Sequence, residues 1–243
     1  MARASRNKKG GAGPRILAIE TSSRVGSLAL AVGAEVVAVA EFRRNLRHVA
    51  ELLPAMERAT GQLGWRAEDL EEVYVSAGPG SFTGLRIGIT VAKTLAMACG
   101  VSLVAVGSIE VIAANAPLEA VNVGVVLDAK RGQVFAGSFE RQGERLVPTL
   151  GACLTDPRTF VAESPKPMLL LGEGVKYHEE ALKAEGVQMG ADSLWWPGAG
   201  AVCKIGWEMG RRGEFSDPAS LAPTYLRVPE AQELWDKRHG GLS

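Results

Sequence analysis

The sequence predicts an α/β protein made of two tandem βββαβα units with a cleft between them. Three observations carry this. Short apolar runs gather in threes at the start of each half of the 243-residue chain. The connections within each trio are too short for anything but antiparallel neighbours. Longer stretches with apolar residues on one face follow each trio, the mark of helices packed on a sheet. No sequence repeat accompanies this; the order of elements repeats, and two such units facing each other leave a cleft.

The elements follow in order. Arg15 to Glu20 (RILAIE), Ser27 to Val32 (SLALAV) and Glu35 to Phe42 (EVVAVAEF) read as a three-strand meander, with Thr21-Ser22-Ser23 and Gly33-Ala34 as turns. His48 to Leu63 places Val49, Leu52, Leu53, Met56, Ala59, Thr60 and Leu63 on one side of a helix, with Pro54 as a kink or the true first turn. A buried strand at 73–77, a glycine loop, a helix over 85–99 and a strand at 101–106 complete the first unit. Val121 to Asp128 and Val134 to Glu140 form a hairpin across Ala129 to Gln133, with a third strand near Arg145 to Thr149. Asp156-Pro157 starts a helix, because Asp caps it and Pro suits its first turn. Met168 to Gly172 is a buried strand ending in Gly172-Glu173-Gly174, and helices lie near 176–185 and 199–212.

Lys plus Arg and Asp plus Glu number 27 each. Residues 1–15 hold five of the cations and no acid, which leaves 22 cations against 27 acids in the remainder. An acidic body is a poor primary platform for nucleic acid, whose binding rests on phosphate neutralisation; the basic tail is a solubilising leader or an aid to RNA contact. Cys99, Cys153 and Cys203 are too few and too scattered for a disulfide framework or a zinc site, and a reducing cytoplasm fits them. No apolar run approaches the ~18 residues of a membrane span, and the start of the chain lacks the apolar core of a secretory signal. His48, His178 and His239 have no metal-ligand spacing, and His48 reads as a cap or surface residue.

Gly78, Gly80 and Gly84 sit between a strand and a helix, where backbone N–H groups can meet a phosphate. The loop fails the Walker pattern, since Leu85-Arg86 follows the last glycine, and its G-x-G-x-x-x-G spacing fails the dinucleotide fingerprint. Two readings stay open. Gly80, Ser81, Thr83 and Gly84 offer small groups and donors to an anion, or Pro79-Gly80 makes a tight turn and Ser81 or Thr83 caps the helix. The helix behind the loop is apolar nearly all round, with a small-residue stripe at Gly88, Ala92 and Ala96. Gly88 costs about 1 kcal/mol of helix propensity, so another backbone should approach it closely. A second subunit or the chain's own interior could supply that contact.

ILAIETS, AGPGSFTGLRIGITVAKTLA, LDAKRGQVFAGSF and PTYLRV occur in this order. Over about residues 15–230 the chain resembles the TsaB family, also called YeaZ, of bacterial tRNA threonylcarbamoyladenosine biosynthesis proteins. The resemblance implies the actin/hexokinase/Hsp70-like ATPase superfold. It implies a basic tail at 1–14, domains at 15–112 and 113–200, a segment at 201–228 packing back on the first domain, and a flexible tail at 229–243. It also implies a cytoplasmic, non-catalytic subunit that pairs with a metal-binding paralogue, TsaD. TsaD would move a threonylcarbamoyl group to N6 of adenosine 37 in tRNAs reading ANN codons, with the ATPase TsaE completing the assembly and tRNA reached indirectly. A homodimer is the expectation for the chain alone.

By position, the family's paired helices match 48–63 and 85–99. The implied partner contacts are His48, Leu52, Met56, Leu85, Gly88, Ile89, Ala92 and Ala96, so bulky substitutions at Gly88 and Ala92 should break pairing while the monomer stays folded. Related ATPases place acids where Glu20 and Asp128 stand, and glycines where Gly172 and Gly174 stand. With Thr21, Ser22, Gly78, Gly80, Ser81, Thr83 and Gly84 these form the implied nucleotide cleft. Glu20 replaces the expected aspartate and no base stands beside it. No intrinsic cofactor or metal is therefore expected, and ATP or ADP at a shared interface stays open. The alternative is an active small-molecule kinase or ATPase of the same superfold; a peptidase has no supporting motif.

Overall fold

The computed structural model describes residues 13–42 and 48–227. Most of both expected tails lies outside them. The first unit runs β1 (Arg15–Glu20), β2 (Gly26–Val32), β3 (Glu35–Phe42), α1 (His48–Gln62), β4 (Glu72–Gly78), α2 (Phe82–Cys99), β5 (Ser102–Gly107) and α3 (Ser108–Ala113). The second runs β6 (Asn122–Asp128), β7 (Val134–Gln142), β8 (Arg145–Thr155), α4 (Pro157–Glu163), β9 (Met168–Leu171), α5 (Gly174–Leu182), β10 (Val187–Met189) and α6 (Ala199–Arg211). The two sheets have the orders β3-β2-β1-β4-β5 and β10-β9-β6-β7-β8. Renumbered within its own unit, the second order is the first reversed, so the duplication extends to topology. In each sheet an antiparallel meander joins a parallel half. This is the plan of the actin/hexokinase/Hsp70-like superfold.

Alternation along the strands assigns the faces. Leu17 and Ile19 of β1 face a core shared with Leu52, Ala55 and Ala59 of α1 and Ile89, Ala92 and Ala96 of α2. Ile16 and Ala18 face Ala199, Val202 and Cys203 of α6. Gly206 on α6 permits this close packing, because a Cβ there would lie 2.6 Å from the Tyr74 ring. The second sheet is covered on one face by Phe160 and Val161 of α4 with Val175 and Leu182 of α5. Its other face meets Ile109, Ile112 and Ala113 of α3. The closing helices bridge the units: α3 ends the first unit with Val111 in the first sheet's core and Ile109 and Ile112 on the second sheet, while α6 ends the second unit and covers the first sheet.

Sequence reading left out α3 and β10, and shortened β8, which is interrupted by register shifts opposite β7. Helix α1 continues through Pro54. The 18 residues of α2 have a mean hydropathy of 1.2, long and apolar enough by composition to cross a membrane, which corrects the reading that no run came close. Here α2 packs against β4, and only 33% of the window is buried.

After α6 the chain is irregular to residue 227 and crosses the first domain as a strap. The Ser216 N–H donates to the Leu103 carbonyl and the Thr224 N–H to the Ala77 carbonyl. Lys93 Nζ on α2 donates to the carbonyls of Ala219 and Leu221, at 3.3 and 2.8 Å.

Candidate functional site: the inter-domain cleft and the outer helix face

Parallel β1 and β4 end together, bringing the turn after Glu20 against the glycine loop after Gly78. The Ser81 N–H donates to the Ser22 carbonyl at 2.7 Å. Ser81 is the N-cap of α2, its hydroxyl accepting from the Gly84 N–H at 3.2 Å, and the Leu85 N–H donates to the Ser81 carbonyl. A Cβ on Gly80 would lie 2.4 Å from the Ser22 carbonyl oxygen, and one on Gly84 would lie 1.9 Å from that of Thr21. Gly78, at a φ of +110°, faces the Thr224 backbone of the strap. The space these glycines leave is filled by the chain itself, and the N–H groups of Ser81, Gly84 and Leu85 are taken by acceptors within it. Of the two open readings, the turn and cap is the one realised; Thr83 lies exposed in the first turn of α2.

Glu20 is fully buried. Its Oε1 accepts from the Ser22 N–H at 2.5 Å, whereas Oε2 and the Thr21 hydroxyl have no protein partner. Burial raises its carboxyl above the ordinary 4.5, and hydrogen bonds at Ser22 and the neighbouring Ser76 hydroxyl offset only part of that. Asp128 is equally occupied. Its Oδ1 accepts from the Lys130 N–H at 2.9 Å and lies 3.1 Å from His178 Nε2, and its Oδ2 lies 2.6 Å from Lys130 Nζ. Burial works to raise this carboxyl, but the bonds from Lys130 and His178 outweigh it and hold it below the usual aspartate value. Gly172 and Gly174 press on the β6 backbone, where a Cβ would meet the Val126 carbonyl oxygen at 2.2 and 2.9 Å. The expected cleft set therefore forms two internally packed groups, Glu20, Thr21, Ser22, Gly78, Gly80, Ser81 and Gly84 in the first domain and Asp128, Gly172 and Gly174 in the second. Among the described residues no group of three or more His, Cys, Asp or Glu is placed to hold a metal.

Sequence reasoning missed what closes the cleft mouth. Arg24 donates to the Tyr177 hydroxyl at 3.1 Å, and Lys130 Nζ lies 5.3 Å from the centre of that ring. Lys130 and Arg131 take left-handed φ values of 63° and 56° in the β6–β7 turn. Arg227 donates from the strap to the Ala129 and Lys130 carbonyls and to Gln133 Oε1. The only signal for these contacts was the Lys-Arg-Gly turn in one motif and the Tyr-Leu-Arg of another.

The expected partner contacts need a larger correction. Leu52, Leu85, Ile89, Ala92 and Ala96 are at most 5% exposed, and Gly88 is buried with them. A Cβ on Gly88 would stand 2.3 Å from the Thr21 hydroxyl oxygen. The small-residue stripe thus admits the chain's own β1–β2 turn and sheet, where a partner had been expected. Met56 is half-buried, and the His48 side chain lies outside what is described. What α1 and α2 present outward is a different set: Leu53 (51% exposed) and Met97 (72%), with half-buried Ile87, Val91 and Leu95.

Comparison with known proteins gives one consistent answer. The family model TsaD, tRNA N6-adenosine threonylcarbamoyltransferase, matches residues 43–189. The tRNA threonylcarbamoyladenosine biosynthesis protein TsaB of Bacillus subtilis is 33% identical, over 90% of this chain and 97% of that protein. The Escherichia coli protein of the same name is 26% identical, over 93% and 99%. Among solved structures, YeaZ from Pseudomonas aeruginosa superimposes with a TM-score of 0.76 at 23% identity, covering 88% of this chain and all of that one. At that identity the likeness concerns the fold.

Proposed function

Because the chain belongs to the TsaB (YeaZ) family of tRNA threonylcarbamoyladenosine biosynthesis proteins, we propose that it is the non-catalytic subunit of the complex that makes this modification. It pairs with TsaD, which transfers the threonylcarbamoyl group to N6 of adenosine 37 in tRNAs reading ANN codons, and TsaE completes the assembly. One observation carries the pairing: the long apolar helix α2 leaves seven of its 18 residues exposed and five only half-buried. A helix of that composition is stable in water when something covers it. Leu53, Ile87, Val91, Leu95 and Met97 supply the apolar centre, and Thr90 and Thr94 lie exposed on the same helix. The filled cleft and occupied carboxylates support a scaffold over a kinase or ATPase.

The test is reconstitution with purified TsaD, TsaE, an unmodified tRNA transcript and the threonylcarbamoyl donor. Omitting this chain should abolish modification, and the chain alone should release no phosphate from ATP. Full modification without it, or steady ATP turnover by the isolated chain, contradicts the proposal.

A further inference from the structure

The three loops that carry the motifs of this sequence meet on one face, although they come from both domains and the strap. Arg86 of α2 lies over the Phe82 ring at 3.7 Å, and its Nε donates to the Tyr225 hydroxyl at 3.0 Å. The Phe82 and Tyr225 rings lie 5.0 Å apart. Two residues on, Arg227 is fixed to the β6–β7 turn. That turn places Lys130 against Tyr177, whose hydroxyl accepts from Arg24. The contacts form an unbroken strip from the start of α2 across the cleft mouth.

Its chemistry differs from the rest of the molecule. Arg24, Arg86 and Arg227 all end on neutral oxygens or rings, and none has a carboxylate within ion-pair distance among the described residues. Phe82, Tyr225 and Tyr177 are 37%, 38% and 44% exposed. The acids beneath are shielded: the Asp128 side chain is 8% exposed and tied to Lys130 and His178, and Glu173 is half-buried, with a carboxyl that burial and neighbouring Asp128 push upward against the opposing pull of the Arg24 and Lys130 charges. Beyond residue 15 the chain is net acidic, so this strip is a local reversal of sign. Guanidinium groups with no direct carboxylate contact, oriented by neutral oxygens beside exposed rings, are the arrangement that takes a single-stranded nucleic acid, with phosphates on the cations and bases stacked on the rings.

We infer that Arg24, Phe82, Arg86, Tyr177, Tyr225 and Arg227 form a single-stranded RNA track by which this chain contacts the tRNA directly. The inference rests on the proposed place in a tRNA-modifying complex, but it concerns the first turns of α2 and the cleft mouth, whereas the proposed pairing surface runs along the rest of that helix to Met97. Direct contact replaces the expectation that tRNA is reached only through the partner.

The experiment uses the assembled complex with TsaD and measures its affinity for an unmodified transcript of a tRNA reading an ANN codon, across a salt series. Arg24→Glu and Arg86→Glu should each weaken binding at least about threefold and make the salt slope shallower by about 0.7 to 1. Tyr225→Ala should cost about tenfold, and Tyr225→Phe should retain most of the affinity. Complex formation, read by sizing chromatography, should be unchanged in every variant. A wild-type complex that fails to form counts against the pairing proposal, whereas a wild-type complex that forms and is lost in these variants places the strip in the partner interface and overturns the RNA track. An intact complex with tRNA affinity and salt slope within twofold of wild type overturns the RNA track. So does loss of TsaE binding with tRNA affinity preserved, which would make the strip a protein-docking face.

Discussion

At the scale of single residues, Gly88 and Thr21 occupy space that no side chain can share. Gly88→Leu should destabilise the chain by about 3 kcal/mol or more, because its side chain would enter the space held by the Thr21 and Ile19 side chains in a filled core. The expectation from sequence was a folded monomer that no longer pairs. Thermal unfolding of the isolated chain distinguishes the two. The sequence announced that something approaches Gly88 closely, but a side chain of the same chain, as Thr21 proves to be, and a partner's backbone leave the same mark, a missing Cβ. Glu20 gives a prediction in pH. Its carboxyl is raised in the folded state, so ionisation opposes folding. Wild-type stability should fall relative to Glu20→Gln as pH rises above the ordinary 4.5 towards the folded value, with the two converging in acid. Denaturation at pH 4 and pH 8 measures this; a constant difference would show that Glu20 does not titrate out of range.

Elements were legible where pattern was long and illegible where it was short. The strands β1, β2, β3, β6 and β9, and the helices α1, α2 and α6, follow from runs of apolar residues with clear period. The six residues of α3 and three of β10 are too short to carry a period. They are fixed by tertiary packing, α3 by the second sheet that it covers. The cleft residues were found by position, whereas their role was not, because occupancy by Thr21, Ser22 and Val126 depends on how loops from different elements meet. The cap of α2 belongs to this scale. Ser81→Ala should cost about 1 kcal/mol by leaving the Gly84 N–H without its acceptor. Ser81→Asp should restore it, as read by urea unfolding.

For the whole molecule, duplication with bridging closing helices makes the two domains mutually dependent, since each sheet is completed by a helix from the other unit. The strap adds a third tie through Arg227. Arg227→Ala should lower stability by about 1–2 kcal/mol, a loss of several degrees in Tm for a chain of this size. A body so cross-braced suits a scaffold: a fixed cleft, a cationic strip at its mouth and an apolar helix pair turned outward. The central claim is that this outward pair holds TsaD. It is tested most directly by calorimetric titration of TsaD into the wild-type chain and into the double variant Leu53→Glu, Met97→Glu, at exposed positions of α1 and α2, both confirmed folded by unchanged Tm. The account predicts that binding weakens at least about a hundredfold in the variant, since charge is placed at the centre of an apolar interface. Binding within a few-fold of wild type would contradict it.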